Sequence, residues 1–352
     1  MISDPKPGGG KRSVDYSPVI FQPPDSDITP EDAREEIARN FPEIEVSSIE
    51  SIGEGMNNRG FEVNGKYVFR FPRKKDAARS CEIEIALLPE LRKAVSLPIP
   101  NPEYVGRSAN DRPFMGYESI PGTPLAPELI RDSRGAMKPH LVQGISQFFR
   151  EIHSFDIDKA RRLGAPGPNL QEKYTEELER VRETIYPVLD EQYPQEAEQL
   201  KAFIEKCFAD YLNDPKSFEY QPAFLHGDLI EEHILYSSEQ DKLTGIIDFG
   251  NAMIGDPVMD LARPYSYYGK EFIDELLKTY PCSDRELLFR KVKFYMAAQI
   301  MNQLVRNKLR SPIHRLFQPR LDRFKHWVME GEERGVLNTS ARGFTLDQKT
   351  AK

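Results

Sequence analysis

The run Phe224-Leu225-His226-Gly227-Asp228-Leu229-Ile230-Glu231-Glu232-His233-Ile234-Leu235, followed by Gly245-Ile246-Ile247-Asp248-Phe249-Gly250, constrains this chain more than any other stretch. Two short apolar, β-like segments each end in polar residues. They carry a carboxylate at Asp228, an imidazole at His233 and a second carboxylate at Asp248. Gly250 allows a sharp turn straight after the second segment. The flanking sequence has helical periodicity, so these strands form a small β island inside a helical body.

The 352 residues are long enough for two lobes, and 39% hydrophobic composition is enough to bury a sizeable core. A formal net charge of -8 argues against a nucleic-acid partner and suits a cationic one. Cys81, Cys207 and Cys282 are widely separated, with no metal-ligand spacing, and read as free thiols in a reducing compartment. No stretch approaches the ~18 apolar residues of a membrane span, and the start lacks a signal-peptide apolar run. The expectation is a cytoplasmic protein with no membrane partner. Nothing in the pattern selects an oligomeric state.

Residues 1–28, rich in Gly, Pro, Asp and Ser, read as an irregular leader that packs, if at all, through Val19, Ile20 and Phe21. Thr29 is a good helix cap, with Pro30 in the first turn and Glu31 and Asp32 at the positive end. Ala33, Ile37 and Phe41 give that helix an inward side. Ile44–Ile52 reads as a strand entering a turn at Gly53-Glu54-Gly55, with Gly60–Val63 returning and Lys66–Phe71 following an Asn64-Gly65 hairpin. A helix is expected over Ala78–Val95, with Pro89 kinking or ending its first part. Phe114–Ile120 reads as a further strand.

Beyond about residue 120 the pattern turns helical. Leu141, Ile145, Phe148, Phe149 and Ile152 form a stripe at helical spacing. Further helices are expected over 171–188, 194–210, 258–279, 284–307 and 318–332, with Ser283 and Glu286 as a capping box. The fold class is therefore α+β. A mainly β lobe over 29–120 precedes a mainly helical lobe over 121–352.

Asp228, on a polar loop after an apolar segment, can orient an alcohol and accept its proton. Asp248, at a strand end, can bridge metal ions between phosphates. A turn that brings His233 beside Asp248 would offer a neutral imidazole nitrogen to a divalent ion, although magnesium prefers oxygen. Together these roles have the logic of phosphoryl transfer.

These motifs, His226-Gly227-Asp228, His233, Ile247-Asp248-Phe249-Gly250 and Asp256-Pro257-Val258-Met259-Asp260-Leu261-Ala262, resemble those of the aminoglycoside phosphotransferase family over residues 33–335. The resemblance implies a bilobal, protein-kinase-like fold. It implies Asp228 as the catalytic aspartate, and His233 and Asp248 as magnesium ligands. Histidine at position 233 is similar to aminoglycoside 2''-phosphotransferases and macrolide phosphotransferases. Asp256 and Asp260 are expected to brace the loops.

On the nucleotide side, Gly53, Gly55, Asn57 and Asn58 would curl over phosphates. Arg70 stands where the family usually has a strand lysine, and its planar fork is not equivalent to an ammonium. Glu84, rather than Glu82, would pair with it. The connection through Tyr117 would meet the purine edge, with Ile52, Val68 and Ile247 around the base. ATP and GTP both remain open as donor.

His153 is expected to be structural, and Trp327 to pack the last helix. Glu271, Asp274 and Glu275 either attract substrate amines or form a solvated acidic face. The implied acceptor is the hydroxyl of a cationic small molecule, first an aminoglycoside. A macrolide, a metabolic amino alcohol or sugar, and a nucleotide-binding pseudokinase without transfer activity are the alternatives.

Overall fold

A computed structural model describes residues 28–54, 57–310 and 317–330. The expected packing of Val19, Ile20 and Phe21, the position of Gly55 and the side chain of Trp327 lie outside what it describes.

The N-terminal lobe opens with α1 (Pro30–Asn40). Thr29 and Asp32 cap it reciprocally: Thr29 Oγ1 accepts from Asp32 N at 3.1 Å, and Asp32 Oδ2 accepts from Thr29 N at 2.9 Å. Strands β1 (Ile49–Glu54), β2 (Asn58–Val63) and β3 (Tyr67–Pro72) follow. After helix α2 (Lys75–Leu91) come β4 (Tyr104–Arg107) and β5 (Pro113–Glu118). These strands form one antiparallel sheet in the order β1-β2-β3-β5-β4. Asn64 and Gly65 both have positive φ, 57° and 61°, as a two-residue type I′ hairpin requires. The first strand starts later than its apolar pattern suggests, at Ile49. It also carries the expected Gly53-Glu54 turn within the ladder, with a bulge between Ser51 and Gly53. Backbone pairing with Arg59 and Gly60 extends the strand beyond its apolar residues.

One face of the sheet packs Phe61, Phe69 and Phe114 against Ile37 of α1. Phe71 stacks on Phe114 with ring centroids 4.4 Å apart. The other face meets α2 through Met115 and Tyr117. The helix stops at Leu91, four residues short of the expected Val95, but not at Pro89. The helix runs through it and stops two residues later, because only the final turn has to tolerate the missing N–H.

The second lobe begins with β6 (Thr123–Pro124) and the amphipathic α3 (Pro139–His153). The α3 stripe Leu141, Ile145, Phe148, Phe149 and Ile152 is almost wholly buried. Each such side chain contributes about 1.5–3 kcal/mol as an upper estimate. Helices α4 (Ile157–Arg162), α5 (Leu170–Thr184), α6 (Tyr186–Gln192) and α7 (Ala197–Leu212) follow. The single helix expected over 171–188 is thus two, because Pro187 restarts the chain after Ile185.

Four short strands then build the island: β7 (Ala223–Leu225), β8 (Ile234–Ser237), β9 (Lys242–Ile246) and β10 (Met253–Gly255). β7 pairs with β10, and β8 lies between β6 and β9. Helices α8 (Met259–Leu276), α9 (Arg285–Arg310) and α10 (Phe317–Glu330) close the lobe. Asp284, not Ser283, caps α9: its Oδ1 accepts from Leu287 N at 2.9 Å. Among the described residues no helix is long and apolar enough to cross a membrane.

Candidate active site

The catalytic loop is held from behind. Buried β7 carries it out of the core, and Asp260 at the start of α8 accepts from His226 N at 2.9 Å and Gly227 N at 2.8 Å. His153 Nε2 lies 3.1 Å from Asp260 Oδ2, and His153 Nδ1 lies 2.8 Å from the Tyr280 hydroxyl. These partners assign the tautomer: Nε2–H donates to the carboxylate and Nδ1 accepts. Asp256 binds Lys291 Nζ at 2.9 Å and Tyr295 OH at 2.8 Å. His153, Asp256 and Asp260 are thus buried braces behind the cleft.

His226 is fully buried, and burial lowers its pKa. Its Nε2 donates to Ile247 O at 3.1 Å, and Nδ1 accepts from Asp228 N at 3.3 Å. The neutral ring therefore ties the two strand ends together. Gly227 has φ +79°, and a Cβ there would stand 2.2 Å from the Asn251 carbonyl oxygen. Backbone cannot yield cheaply to such a contact, so Gly227→Ala should displace the loop. We expect kcat to fall more than about tenfold, which a steady-state assay on folded variant would read.

Asp228 projects from this loop. Asn251 Nδ2 donates to its Oδ2 at 3.3 Å, and Arg263 Nη2 lies 3.0 Å from Oδ1. The arginine contact is not aligned as a hydrogen bond, and Oδ1 is shut off from solvent without a hydrogen-bond partner. Neither Asn251 nor Arg263 stood out in the sequence. His233 Nδ1 donates to Asp228 O at 2.8 Å, which leaves Nε2 as the free lone pair, 3.5 Å from Asp248 Oδ2.

Asp248 leaves β9 with φ 64°, a conformation that costs a non-glycine residue energy and turns its carboxylate into the cleft. Arg70 of β3 reaches across the lobes to it at 2.8 Å and holds Glu84 of α2 at 2.7 Å. Glu82 instead sits at the surface, 3.2 Å from Arg107. Burial pushes Glu84 up to about 7 against the pull of Arg70. Burial also opposes ionisation of Asp248, but Arg70, with smaller help from His233 and His226, outweighs it and holds the carboxyl at about 2. Asp248 thus stays charged over the whole physiological range.

The donor side is more open. Gly53 pairs with Gly60 in the sheet, and Asn57 O accepts from Arg73 N at 2.8 Å at the strand entry. Asn58 lies opposite Pro72. Tyr117 is buried opposite Val68, and burial pushes its phenol up to about 12. Ile52 is 52% exposed, an unusual state for a large apolar side chain. Val68 and Ile247 are half-buried.

The acidic residues singled out on the late helices are all paired. Glu271 meets Arg131 at 2.7 Å, Asp274 meets Lys270 at 2.6 Å and Arg285 at 2.7 Å, and Glu275 binds Lys278. Two further carboxylates, Glu231 and Glu232, lie in the turn just after Asp228. Burial, with Glu232 and Glu128 beside it, pushes Glu231 up to about 7. The pair was visible in the catalytic run, but its grouping with Glu128 depends on tertiary contact.

A β-rich lobe over a helical lobe, with the catalytic loop between them, is a protein-kinase-like fold. The chain belongs to the phosphotransferase enzyme family, whose pattern matches residues 48–292. Wild-type aminoglycoside 2'-phosphotransferase-IIIa in its GDP complex superposes with a TM-score of 0.79 at 30% identity, over 86% of this chain and 99% of that one. The GDP and kanamycin complex of an aminoglycoside 2''-phosphotransferase gives 0.76 at 30% identity, over 83% and 96%. Macrolide 2'-phosphotransferase type I shares the fold, with a TM-score of 0.59 at 17% identity over 77% and 89%. Viomycin phosphotransferase of Streptomyces vinaceus is 25% identical over 189 residues, which take in 51% of this chain and 59% of that protein. The match therefore spans under two thirds of that relative's length.

Proposed function

We propose that the protein transfers the terminal phosphoryl group of a magnesium nucleoside triphosphate to a hydroxyl of an amine-bearing small molecule, an aminoglycoside being the first acceptor to test. The observation that carries this reading is the Asp228 carboxylate on a braced loop, flanked by Arg263 and Asn251, beside an ionised Asp248 held by Arg70. The acceptor oxygen bonds to the terminal phosphorus as the bridge to the leaving nucleoside diphosphate breaks, and Asp228 takes the hydroxyl proton.

Asp248 Oδ2 and His233 Nε2 face one another 3.5 Å apart, with Asp248 Oδ1 already given to Arg70. That donor set fits a divalent ion whose other ligands are water and phosphate oxygens. Among the described residues no larger cluster of His, Cys, Asp or Glu competes for it. Bound there, magnesium would neutralise charge on the phosphates. The turn through Gly53, Gly55, Asn57 and Asn58 and the Arg70 fork would steady those phosphates. Ile52, Val68 and Ile247, with the chain through Tyr117, would receive the base. On this reading residues 29–120 carry the nucleotide, and residues from 121 onward carry the catalytic groups and the acceptor. The GDP-bound relatives make GTP the first donor to compare with ATP.

Product mass after incubation with kanamycin, magnesium and either nucleotide tests the proposal. A gain of one phosphoryl group supports it. Intact nucleotide binding with no transfer to aminoglycosides, macrolides or simple amino alcohols would favour a pseudokinase. Glu231, pushed up to about 7, lies in the turn just after Asp228. Lowering the pH from 8 to 6 takes its ionised fraction from roughly nine-tenths to a tenth. We expect kcat/KM for an amine-bearing acceptor to fall about ninefold over that range, and Glu231→Gln to flatten this limb of the profile.

A further inference from the structure

Asp228 Oδ1 and Arg263 Nε are both shut off from solvent, and neither has a hydrogen-bond partner. Yet the side chains touch, with Arg263 Nη2 3.0 Å from Oδ1. An arginine ordinarily meets a carboxylate through paired, parallel bonds from its planar fork. Leaving a buried donor and a buried acceptor open is unfavourable. Such a defect beside a reacting group calls for an explanation.

The fold supplies it. Asp260 and Arg263 stand one turn apart on α8 and so share a face. Asp260 is pinned to the catalytic loop by His226 N and Gly227 N. That anchor, and not the quality of its own bond, fixes Arg263 against Asp228. Asn251, on the chain that leaves Asp248, meets the carboxylate at its other oxygen. It is exposed, and its Nδ2 reaches Asp228 Oδ2 at 3.3 Å, long for a hydrogen bond. The Asp228 side chain is 22% exposed, and almost none of that exposure belongs to Oδ1. The carboxylate therefore has a closed oxygen under a cation and a second oxygen beside an exposed amide. A carboxylate oxygen holding one weak bond still has a lone pair for a hydroxyl.

We propose that Arg263 is a positioning residue for phosphoryl transfer: by covering Oδ1 it presents Oδ2 of Asp228 to the acceptor hydroxyl. This rests on the preceding section for the transfer step and assigns the oxygen that carries it. The hydroxyl proton passes to Oδ2 as the acceptor oxygen bonds to the terminal phosphorus. The electron pair of the breaking P–O bond leaves with the nucleoside diphosphate. Arg263 acts through the carboxylate, and its charge also offsets repulsion between Asp228 and the incoming phosphates. The contact is one of charge rather than of an aligned fork, so an ammonium at this position should serve in its place.

Steady-state transfer to kanamycin tests the proposal in a double-mutant cycle. Arg263→Met should lower kcat about ten- to a hundredfold, with nucleotide Kd and acceptor KM near native. Arg263→Lys should recover most of the loss. In an Asp228→Asn background, whose residual turnover radiolabelled nucleotide can follow, Arg263→Met should cost less than about twofold more. A residue that acts through the carboxylate has nothing left there to act on. Equal losses in the two backgrounds, a loss confined to acceptor KM, or native turnover in Arg263→Met overturns the proposal. Crystal structures of the native protein and Arg263→Met give a second reading that needs no acceptor. The Asp228 carboxylate should hold one orientation in the native protein and turn or split in the variant, and an unmoved carboxylate overturns the proposal. Absence of transfer to any acceptor would sink the phosphotransferase reading alone, and the orientation of the carboxylate would still decide what Arg263 does.

Discussion

Asp228→Ala should reduce acceptor-dependent phosphoryl transfer by about a thousandfold while nucleotide affinity stays near that of the native protein. On the proposed mechanism Asp228 takes the hydroxyl proton, and a positioned base contributes about 10²–10⁴ in rate. Its removal also frees Arg263 and Asn251, which hold it from either side. Asp228→Asn keeps the side-chain shape and should lose nearly as much, because an amide cannot accept that proton. The comparison of kcat with nucleotide Kd for both variants reads this directly. Turnover close to native in Asp228→Ala would mean that another group handles the hydroxyl.

Arg70→Met should destabilise the protein by roughly 1–3 kcal/mol, because it removes the hydrogen bonds to Glu84 and Asp248 and leaves the buried Glu84 acid without a partner. Urea denaturation of the variant gives the figure, and Arg70→Met/Glu84→Gln should recover most of it. Arg70 also holds Asp248 at its low pKa, so its loss should shift the acid limb of the activity profile to higher pH. The stability of the native protein carries its own signature here. Glu84 has a raised pKa, so the folded protein keeps a proton that the unfolded chain, near 4.5, has released. Stability contributed at this site therefore falls as pH rises from about 4.5 to about 7, then levels off. Arg70→Lys separates charge from geometry. An ammonium is a compact point charge, whereas the guanidinium fork here serves Glu84 through Nη1 and Asp248 through Nη2.

The same pair explains how an arginine stands where the family usually has lysine. Its two nitrogens divide between Glu84 of the helix and Asp248 of the cleft, so the ion pair that locks α2 against the cleft persists. That arrangement argues against the pseudokinase reading more strongly than any motif does.

Much of this protein was legible in its residues. Local periodicity and turn chemistry determined the hairpin at Asn64-Gly65, the α3 stripe and the β island, because each depends on neighbours within a few residues. The spacing from His226 to Gly250 placed Asp228, His233 and Asp248 on adjoining strand ends, since short apolar strands leave only their ends for polar groups. Pro187 and Asp284 show the limit of such reading at element boundaries, where one backbone N–H or one cap shifts an end by a residue or more.

What only the tertiary structure decided is the electrostatics around the reacting oxygen. Arg263 on α8 reaches Asp228 because Asp260, one turn earlier, anchors that helix to the catalytic loop. The acidic helix residues Glu271, Asp274 and Glu275 lost their claim on substrate because lysines and arginines already pair with them. Charge in a sequence is a count. Whether a given charge is neutralised, stranded or free to bind depends on which distant partner the fold brings within a few ångströms.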